Sequence, residues 1–404
     1  MIKNKEDFDQ FIIQNWNKVN EYLDQEAQKV PVPFYNSVDI RESKLKYAPV
    51  DNNIYPAGFN NICLMDLDET SFQIKNFVKN NKIPNKNWAI LVESNTKNTF
   101  YLENLFYLKK AIIESGIENC FFISLDQNLF LNGLTLKLET ASKFDIDIFL
   151  ARIESNFCYV NDVKIENIIL NNDQSKPIDI QWGQLKTTVF PPAEIGWYNR
   201  QKIDHFEKYF IAASNFAKKF NINLDLLCAK FRAFHNVDFS TKDSFDLLAS
   251  AVDELKTQLD IDQKIFLKAS KGTYGMGIHV VSNGDDILQM NRKVRNKMDI
   301  GKNNIKFTDI LIQEGVDTVL TYDKMPAEVT IYLINGKSVG GFMRANSQKD
   351  HQSNLNSKGM VFRKFCISEI RQNQDFATKE AVYSVIARLS SIAAGLEILE
   401  LKKD

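Results

Sequence analysis

The sequence has no cysteine pair spaced C-x-x-C. Its five cysteines (Cys63, Cys120, Cys158, Cys228, Cys366) are scattered. An odd, dispersed set argues for buried free thiols in a reducing compartment and against a disulfide frame. The four histidines (His205, His235, His279, His351) are equally dispersed, which argues against a zinc site. Net charge is nearly absent, at -1 over 404 residues, so the whole chain offers no electrostatic footprint for nucleic acid or an anionic membrane. No apolar stretch reads as long enough to cross a bilayer. The first residues, MIKNKEDFDQFIIQNW, are too charged for a signal peptide. A cytoplasmic protein is expected. Internal repeats and low-complexity linkers are also missing.

What remains is an ordinary globular balance, 44% hydrophobic and 25% charged, in a chain long enough for two or three domains. Residues 6–28 carry apolar positions at helical spacing: Phe8, Phe11, Ile12, Trp16, Val19, Tyr22 and Leu23. Residues 31–62 are punctuated by Asn, Pro and Gly and read as loop with short strands. WAILVES (88–94) and CFFISL (120–125) read as buried strands around a helix that ends at Gly116, a βαβ unit. KIENIILNND (164–173) reads as a further strand. An amphipathic helix is expected over 195–221, its stripe made by Phe206, Phe210, Ala213 and Phe216. LLCAKFRAF and DSFDLLASAVDELKTQL read as two more helices. After residue 262 strands and glycine turns take over. The fold class is mixed α/β, with a domain boundary near 175–195.

Residues 268–284, KASKGTYGMGIHVVSNG, carry the sharpest signal. A Walker A loop needs Lys-Ser/Thr straight after its last glycine, but Ile278 and His279 follow Gly277. A Rossmann fingerprint opens a helix, whereas the β-branched IHVVS predicts a strand. A protein kinase places its lysine after the glycine loop; here Lys268 precedes it. The remaining arrangement is a hairpin with a tip nearly free of side chains at Gly272, Gly275 and Gly277. Its backbone N–H groups can face phosphates, with the Lys268 ammonium beside them. This segment resembles the ATP-grasp enzymes. A plain β-turn is the alternative reading of the loop.

The downstream order fits. GDDILQMNRKVRNKM (284–298) reads as a helix with Ile287, Met290, Val294 and Met298 inward. FTDILIQEGV (307–316) reads as a strand that ends in Gln313-Glu314-Gly315-Val316, with Glu314 the candidate acid for a ribose. EVTIYLI-NG-KSVGGFMR (328–344) has the Asn-Gly of a two-residue hairpin. A regular ladder pairs Glu328 with Met343; one bulge at Gly340-Gly341 brings Arg344 opposite Glu328. Glu328 is then a candidate Mg²⁺ ligand and Arg344 a candidate clamp on a transferred phosphoryl group. A surface charge pair is the bland alternative. Asn354 and Asn356, in HQSNLNSKGMVF, are further metal candidates, or else a capped turn.

Taken together, the sequence resembles the proteobacterial-type glutamate–cysteine ligase family, whose C-terminal half is ATP-grasp-like. KASKGTYGMGIHVV, NRKVRNKM, LIQEGV, VGGFMR and NLNSKGM carry the resemblance. So does SVDIRESKLKYAPVDNNIYPAGFNN (37–61), with shorter echoes in ESNTKN, LNND and GWYNRQKIDHF. The chain departs from the family at Asn95-Thr96-Lys97-Asn98, where His-Thr-Arg-Asn is usual, and at Tyr55, where phenylalanine is. AAGLEILELKKD, with Glu397 and Glu400, is only loosely similar to the Glu-x-Asn metal strand of ATP-grasp ligases. The resemblance implies ATP and Mg²⁺ as cofactors, and glutamate and cysteine as small-molecule partners. Nucleic acid and membrane partners are not expected; a homo-oligomer stays open. It implies a substrate domain over 1–185 and a nucleotide-binding, catalytic domain over 186–404. Lys268 and Arg344 are the catalytic candidates. ATP would meet Lys268, Gly272, Thr273, Tyr274, Gly275, Met276, Gly277, Gln313, Glu314 and Val316. Glutamate would meet Arg41, Asp51, Asn53, Asn60 and Asn61, and the metal Glu328, Asn354 and Asn356. Another carboxylate–amine ligase and a non-catalytic nucleotide-binding module are the rival readings.

Overall fold

The structure is a computed structural model that describes all residues except 95–96, 132, 173, 176, 272–276, 300–306, 358, 366–373 and 402–404. It is mixed α/β, built on three sheets. In the first, strands from both ends of the chain pair together. Tyr35–Glu42 runs antiparallel between Tyr47–Asn53 and Met325–Ile334, and Lys337–Asn346 and Met360–Phe365 continue outward. This sheet therefore joins residues from either side of the expected boundary.

The predicted βαβ unit heads the second sheet. Asn87–Val92, helix Thr99–Glu114 and Asn119–Ser124 form it, and the two strands are parallel. Asn167–Asn171 pairs with the other side of Asn87–Val92, also parallel, as the run KIENIILNND predicts. The third sheet has four antiparallel strands in the order Phe231–Phe234, Ile310–Glu314, Ile265–Ala269, Ile278–Val281. Its last two strands are the predicted glycine hairpin, with Lys268 opposite Ile278.

Helix Gln374–Leu401 packs on helix Lys202–Phe220, on the first sheet and on the N-terminal helices Lys5–Gln14 and Trp16–Gln28. Its part Lys379–Leu401 is apolar and long enough to cross a membrane, contrary to the sequence reading, but 89% of it is buried inside the protein. It is a core helix: Val382, Val385, Ile386 and Leu389 join Phe8, Leu23, Ile40 and Phe216 in one apolar cluster.

Several local readings change. LLCAKFRAF is not helical; Phe231–Phe234 is a strand paired with Ile310–Gln313. A short apolar run carries no period that separates the two. The 284–298 segment breaks into helices Gly284–Leu288 and Arg292–Asp299, the first capped by the Asn283 side chain. Phe210 is 46% exposed, and Tyr209 takes its place in the buried stripe. Cys120, Cys158 and Cys228 are buried and free, and burial pushes the first two thiols up to about 12. Cys63 departs from the free-thiol reading, for it is disulfide-bonded.

Candidate active site

A cleft of about 950 Å³ lies between the first and third sheets. Side chains alternate across a strand, so every second residue faces it. Ser37, Asp39 and Arg41 do so from one strand, and Asp51 and Asn53 from its neighbour. Glu328, Thr330 and Tyr332, then Phe342 and Arg344, then Met360 and Phe362 do so from the rest. Phe266, Lys268, Ile278 and Gln313 to Val316 line the opposite wall.

Arg344 stands opposite Glu328, as the sequence predicts, because the hairpin carries one bulge. The extra residue is Val339, just before Gly340-Gly341, since Leu333 pairs with Ser338 and Tyr332 with Gly340. Asn335 and Gly336 both have positive φ, as a two-residue turn of this hand requires. Arg344 donates through Nε (2.9 Å) and Nη2 (2.6 Å) to Glu328 Oε1, and also to Asp39. Arg41 Nε donates to Glu328 Oε2 at 2.9 Å. Burial opposes the charged form of Glu328, but Arg344 and Arg41 overcome it and hold the carboxyl below the usual range. Burial raises Asp39, against the pull of Arg344.

Lys268 is buried at the other wall. Its Nζ donates to Gln313 Oε1 (2.7 Å) and to the Val50 carbonyl (3.0 Å). The other cleft cations all meet a carboxylate: Arg41 and Arg344 at Glu328, Lys202 at Asp51 (3.0 Å). Lys268 has no such partner among the described residues. Burial pushes its ammonium pKa down to about 8. The charges of nearby Asp51 and Glu328 favour its ammonium form, but neither carboxylate pairs with it.

Of the other candidates, Asn60, Asn61, Asn354 and Asn356 also line the cleft. Asn354 caps its own turn by accepting the Asn356 N–H at 2.9 Å. Glu314 lines the cleft too, but its carboxylate takes Lys46, the Lys230 N–H and Gln263, so it is spent on the protein. Arg41 is similarly committed, since it also donates to the Val316, His351 and Ser353 carbonyls. Gly277 lies outside the cleft lining. Its φ is +66°, and a Cβ there would stand 2.5 Å from Ala269 Cβ. Gly272, Thr273, Tyr274, Gly275 and Met276 lie outside the described residues, as do Asn95 and Thr96.

Two features escape the sequence reading. Asp39 shares a strand face with Arg41, two residues on, so the Asp-Ile-Arg motif held the signal. Glu397 and Glu400 sit on the C-terminal helix rather than a strand, and neither lines the cleft. Glu400 pairs with Lys208, and Glu397 takes Arg200 Nε (2.8 Å) and Nη2 (3.1 Å) together with His205 Nδ1 (2.5 Å). Burial lowers the His205 pKa against the pull of Glu397, and the ring also meets Arg200 Nη2 (3.1 Å) at Nδ1 and the Ser390 hydroxyl (3.0 Å) at Nε2.

The cleft is lined by charged side chains of both signs, as suits an enzyme that handles charged small molecules. The chain belongs to the glutamate–cysteine ligase family (GshA), whose model matches residues 9–398, and it joins glutamate to cysteine. A solved structure from Methylobacillus flagellatus KT, provisionally named a γ-glutamylcysteine synthetase, has a TM-score of 0.87 at 30% identity. It covers 97% of this chain and 96% of that one. D-alanyl-alanine synthetase A from Vibrio cholerae O1 is far more distant. Its TM-score is 0.36 at 12% identity, over 74% of this chain and 82% of that one. A glutathione synthetase-like effector from Globodera pallida gives 0.43 at 10% identity, over 87% and 81%. Neither distant likeness carries weight here. No curated protein matches.

Proposed function

We propose that the chain joins the two amino acids through a γ-glutamyl phosphate made from ATP, in an ATP-grasp-like cleft. The γ-carboxylate of glutamate attacks the γ-phosphorus and ADP leaves. The cysteine amine then attacks the acyl carbon, phosphate leaves and the amine loses its proton. Both steps need charge neutralised and reactants aligned, with no covalent enzyme intermediate. The observation that carries this reading is Lys268, buried beside the proposed nucleotide wall with no carboxylate paired to it among the described residues. Lys268 would hold phosphate oxygens, while Gln313 and Val316 line the adjacent wall for the base. Residues 186–404 would supply this nucleotide side and 1–185 most of the amino-acid side.

Arg344 would neutralise the phosphoryl group in transfer. Its bonds to Glu328 and Asp39 keep the guanidinium fork oriented while the ligand is absent. Arg41 lines the cleft beside Glu328 and would serve the glutamate side of the site. Arg41→Ala is expected to raise the KM for glutamate about tenfold or more while the KM for ATP stays constant. Steady-state kinetics in each substrate check it; an unchanged glutamate KM removes Arg41 from the site.

Mg²⁺ fits the donors present. Among the described residues no three acidic, histidine or cysteine side chains cluster as a metal centre. A Mg²⁺–nucleotide site requires only one or two carboxylates, because phosphates and water supply the rest. Glu328 accepts three hydrogen bonds, which leaves one of a carboxylate's roughly four acceptor positions open. Glu328, with Asn354 and Asn356, would hold the ion, which neutralises phosphate charge when bound.

The test is phosphate release with ATP, Mg²⁺, glutamate and cysteine, repeated with each component omitted. Release is expected only from the complete mixture, or slowly without cysteine. Equal release with other amines would favour a broader carboxylate–amine ligase; nucleotide binding without release would favour a non-catalytic module.

A further inference from the structure

The first sheet presents a graded face to the cleft. Its register sets Glu328, Arg344 and Phe362 side by side across neighbouring strands. Asp39, Thr330 and Phe342 form the next row. Acidic groups therefore sit on the inner strands and aromatic surface on the outer ones. Residues directly opposite in a ladder have Cβ atoms about 4.5–5.5 Å apart, so Phe362 is the immediate neighbour of Arg344. Arg363 alternates to the other face, where its guanidinium lies over the Tyr322 ring.

The aromatic surface is supported from within and open to the cleft. Phe342 is 3% exposed, and its ring meets Phe362 edge to face at 5.3 Å and Tyr332 at 5.7 Å. Gly58 packs against the same rings, for a Cβ there would stand 2.5 Å from Tyr332 Oη and 3.3 Å from Phe342 Cε1. Phe362 itself stays 42% exposed. Met360, two residues back on the same face, is 38% exposed, and both line the cleft. A separate apolar surface lies on the opposite wall, where Phe266, Ile278 and Val316 surround the approach to Lys268.

We infer that Phe362 and Met360 form the subsite for the side chain of cysteine. The inference rests on the ligase reading above and deepens it by one substrate. ATP, glutamate and cysteine all have to be housed. In that reading the base of ATP takes the apolar surface beside Lys268. Glutamate is charged at both ends and gains nothing from an aromatic wall. Cysteine carries a small uncharged side chain, whose polarizable sulfur packs well on aromatic rings. Its amine has to reach the acyl carbon at the Arg344 centre. The side chain, borne on the same carbon as that amine, then settles on the surface adjoining Arg344, which is Phe362. The same surface disfavours serine, whose hydroxyl would give up water there for rings and a thioether.

The experiment measures kcat/KM for L-cysteine, L-serine and L-2-aminobutyrate as amine acceptors, with ATP and glutamate saturating. The last has an ethyl side chain, apolar and of similar length to that of cysteine. The wild type is expected to prefer cysteine over serine about 10- to 100-fold and to use 2-aminobutyrate within about tenfold of cysteine. Phe362→Ser is expected to cut the cysteine-over-serine preference about tenfold, through the KM for the amine, while the KM values for ATP and glutamate stay constant. Phe362→Leu should restore most of the preference. An unchanged preference in Phe362→Ser overturns the inference. Equal losses with cysteine and serine would mean a structural role beside Arg344 and overturn it too. A raised KM for ATP would put the base on this ring, and a raised KM for glutamate the other amino acid; either result sinks the assignment. So does a wild type that rejects 2-aminobutyrate as strongly as serine, because the site then reads sulfur and not apolar surface. If the wild type releases no phosphate with any of the amines, the ligase reading fails first and takes this subsite with it.

Discussion

Lys268→Met is expected to lower kcat/KM for ATP by about 10²–10³-fold while leaving the fold at least as stable as before. The two halves of this result have one cause. The ammonium is buried between Gln313 and the Val50 carbonyl, with no carboxylate partner among the described residues. Burial lowers its pKa from the ordinary lysine value to about 8. A lysine whose folded pKa lies below its unfolded one binds its proton more weakly in the native state, so it destabilises the fold at neutral pH. That cost is full below about pH 8 and vanishes as pH rises past the ordinary lysine range. Methionine, of similar length and uncharged, removes it. Phosphates arriving at the site would supply the missing negative charge. Consequently kcat/KM for ATP in the wild type should fall as pH rises through about 8, when free-enzyme Lys268 loses its proton. Lys268→Arg, which keeps its charge throughout, should flatten that limb. A Lys268→Met protein with normal ATP kinetics would dismiss the residue from the nucleotide site. Chemical denaturation of the same variant checks the stability half.

Glu397→Ala should instead damage the fold, by about 3–5 kcal/mol, because it strands a buried Arg200. Glu397 is 4% exposed and takes two hydrogen bonds from that guanidinium and one from His205. Arg200 in turn donates to the Asn52 carbonyl at 2.6 Å, and Asn52 reaches Ser390 on the C-terminal helix. The network thus anchors the strand that presents Asp51 and Asn53 to the cleft. Burial opposes the charge on Glu397, but Arg200 and His205 overcome it and hold the carboxyl at about 2. A carboxyl depressed in the folded state stabilises above its unfolded pKa, and the gain is lost as pH falls through the folded one. The contribution should therefore be whole at neutral pH and decline between the ordinary glutamate value and about pH 2. Urea denaturation of Glu397→Ala beside the wild type measures it. A change below about 0.5 kcal/mol, the usual range for surface substitutions, would show the network to be dispensable.

How much of this was legible depended on range. The glycine hairpin could be read because its signals are local: a lysine, three glycines and a β-branched strand within one stretch. The Glu328–Arg344 pairing was legible for the same reason, since an Asn-Gly turn fixes the register to within a bulge. The site's acids and bases at long range were not. Arg41 meets Glu328, and Arg200 meets Glu397, from opposite ends of the sequence. No period or turn signal encodes such a meeting. The C-terminal AAGLEILELKKD misled for a different reason. Its helix is buried on nearly every side, so it has no polar stripe to mark the period. Asp39 alone was readable and passed over, because only its pairing across three strands gives it meaning.

The shared sheet has a consequence for how the molecule is made. Tyr35–Asn53 leave the ribosome long before Met325–Ile334, the strand they need, exists. Until then one flank of Tyr35–Glu42 is an open edge, available to any other extended chain. Synthesis adds only about 5–20 residues per second, so the half-grown polypeptide must wait with its cleft floor unmade. A chain interrupted before the Asn-Gly hairpin would leave the first sheet without Met325–Ile334 and the cleft without Glu328 and Arg344.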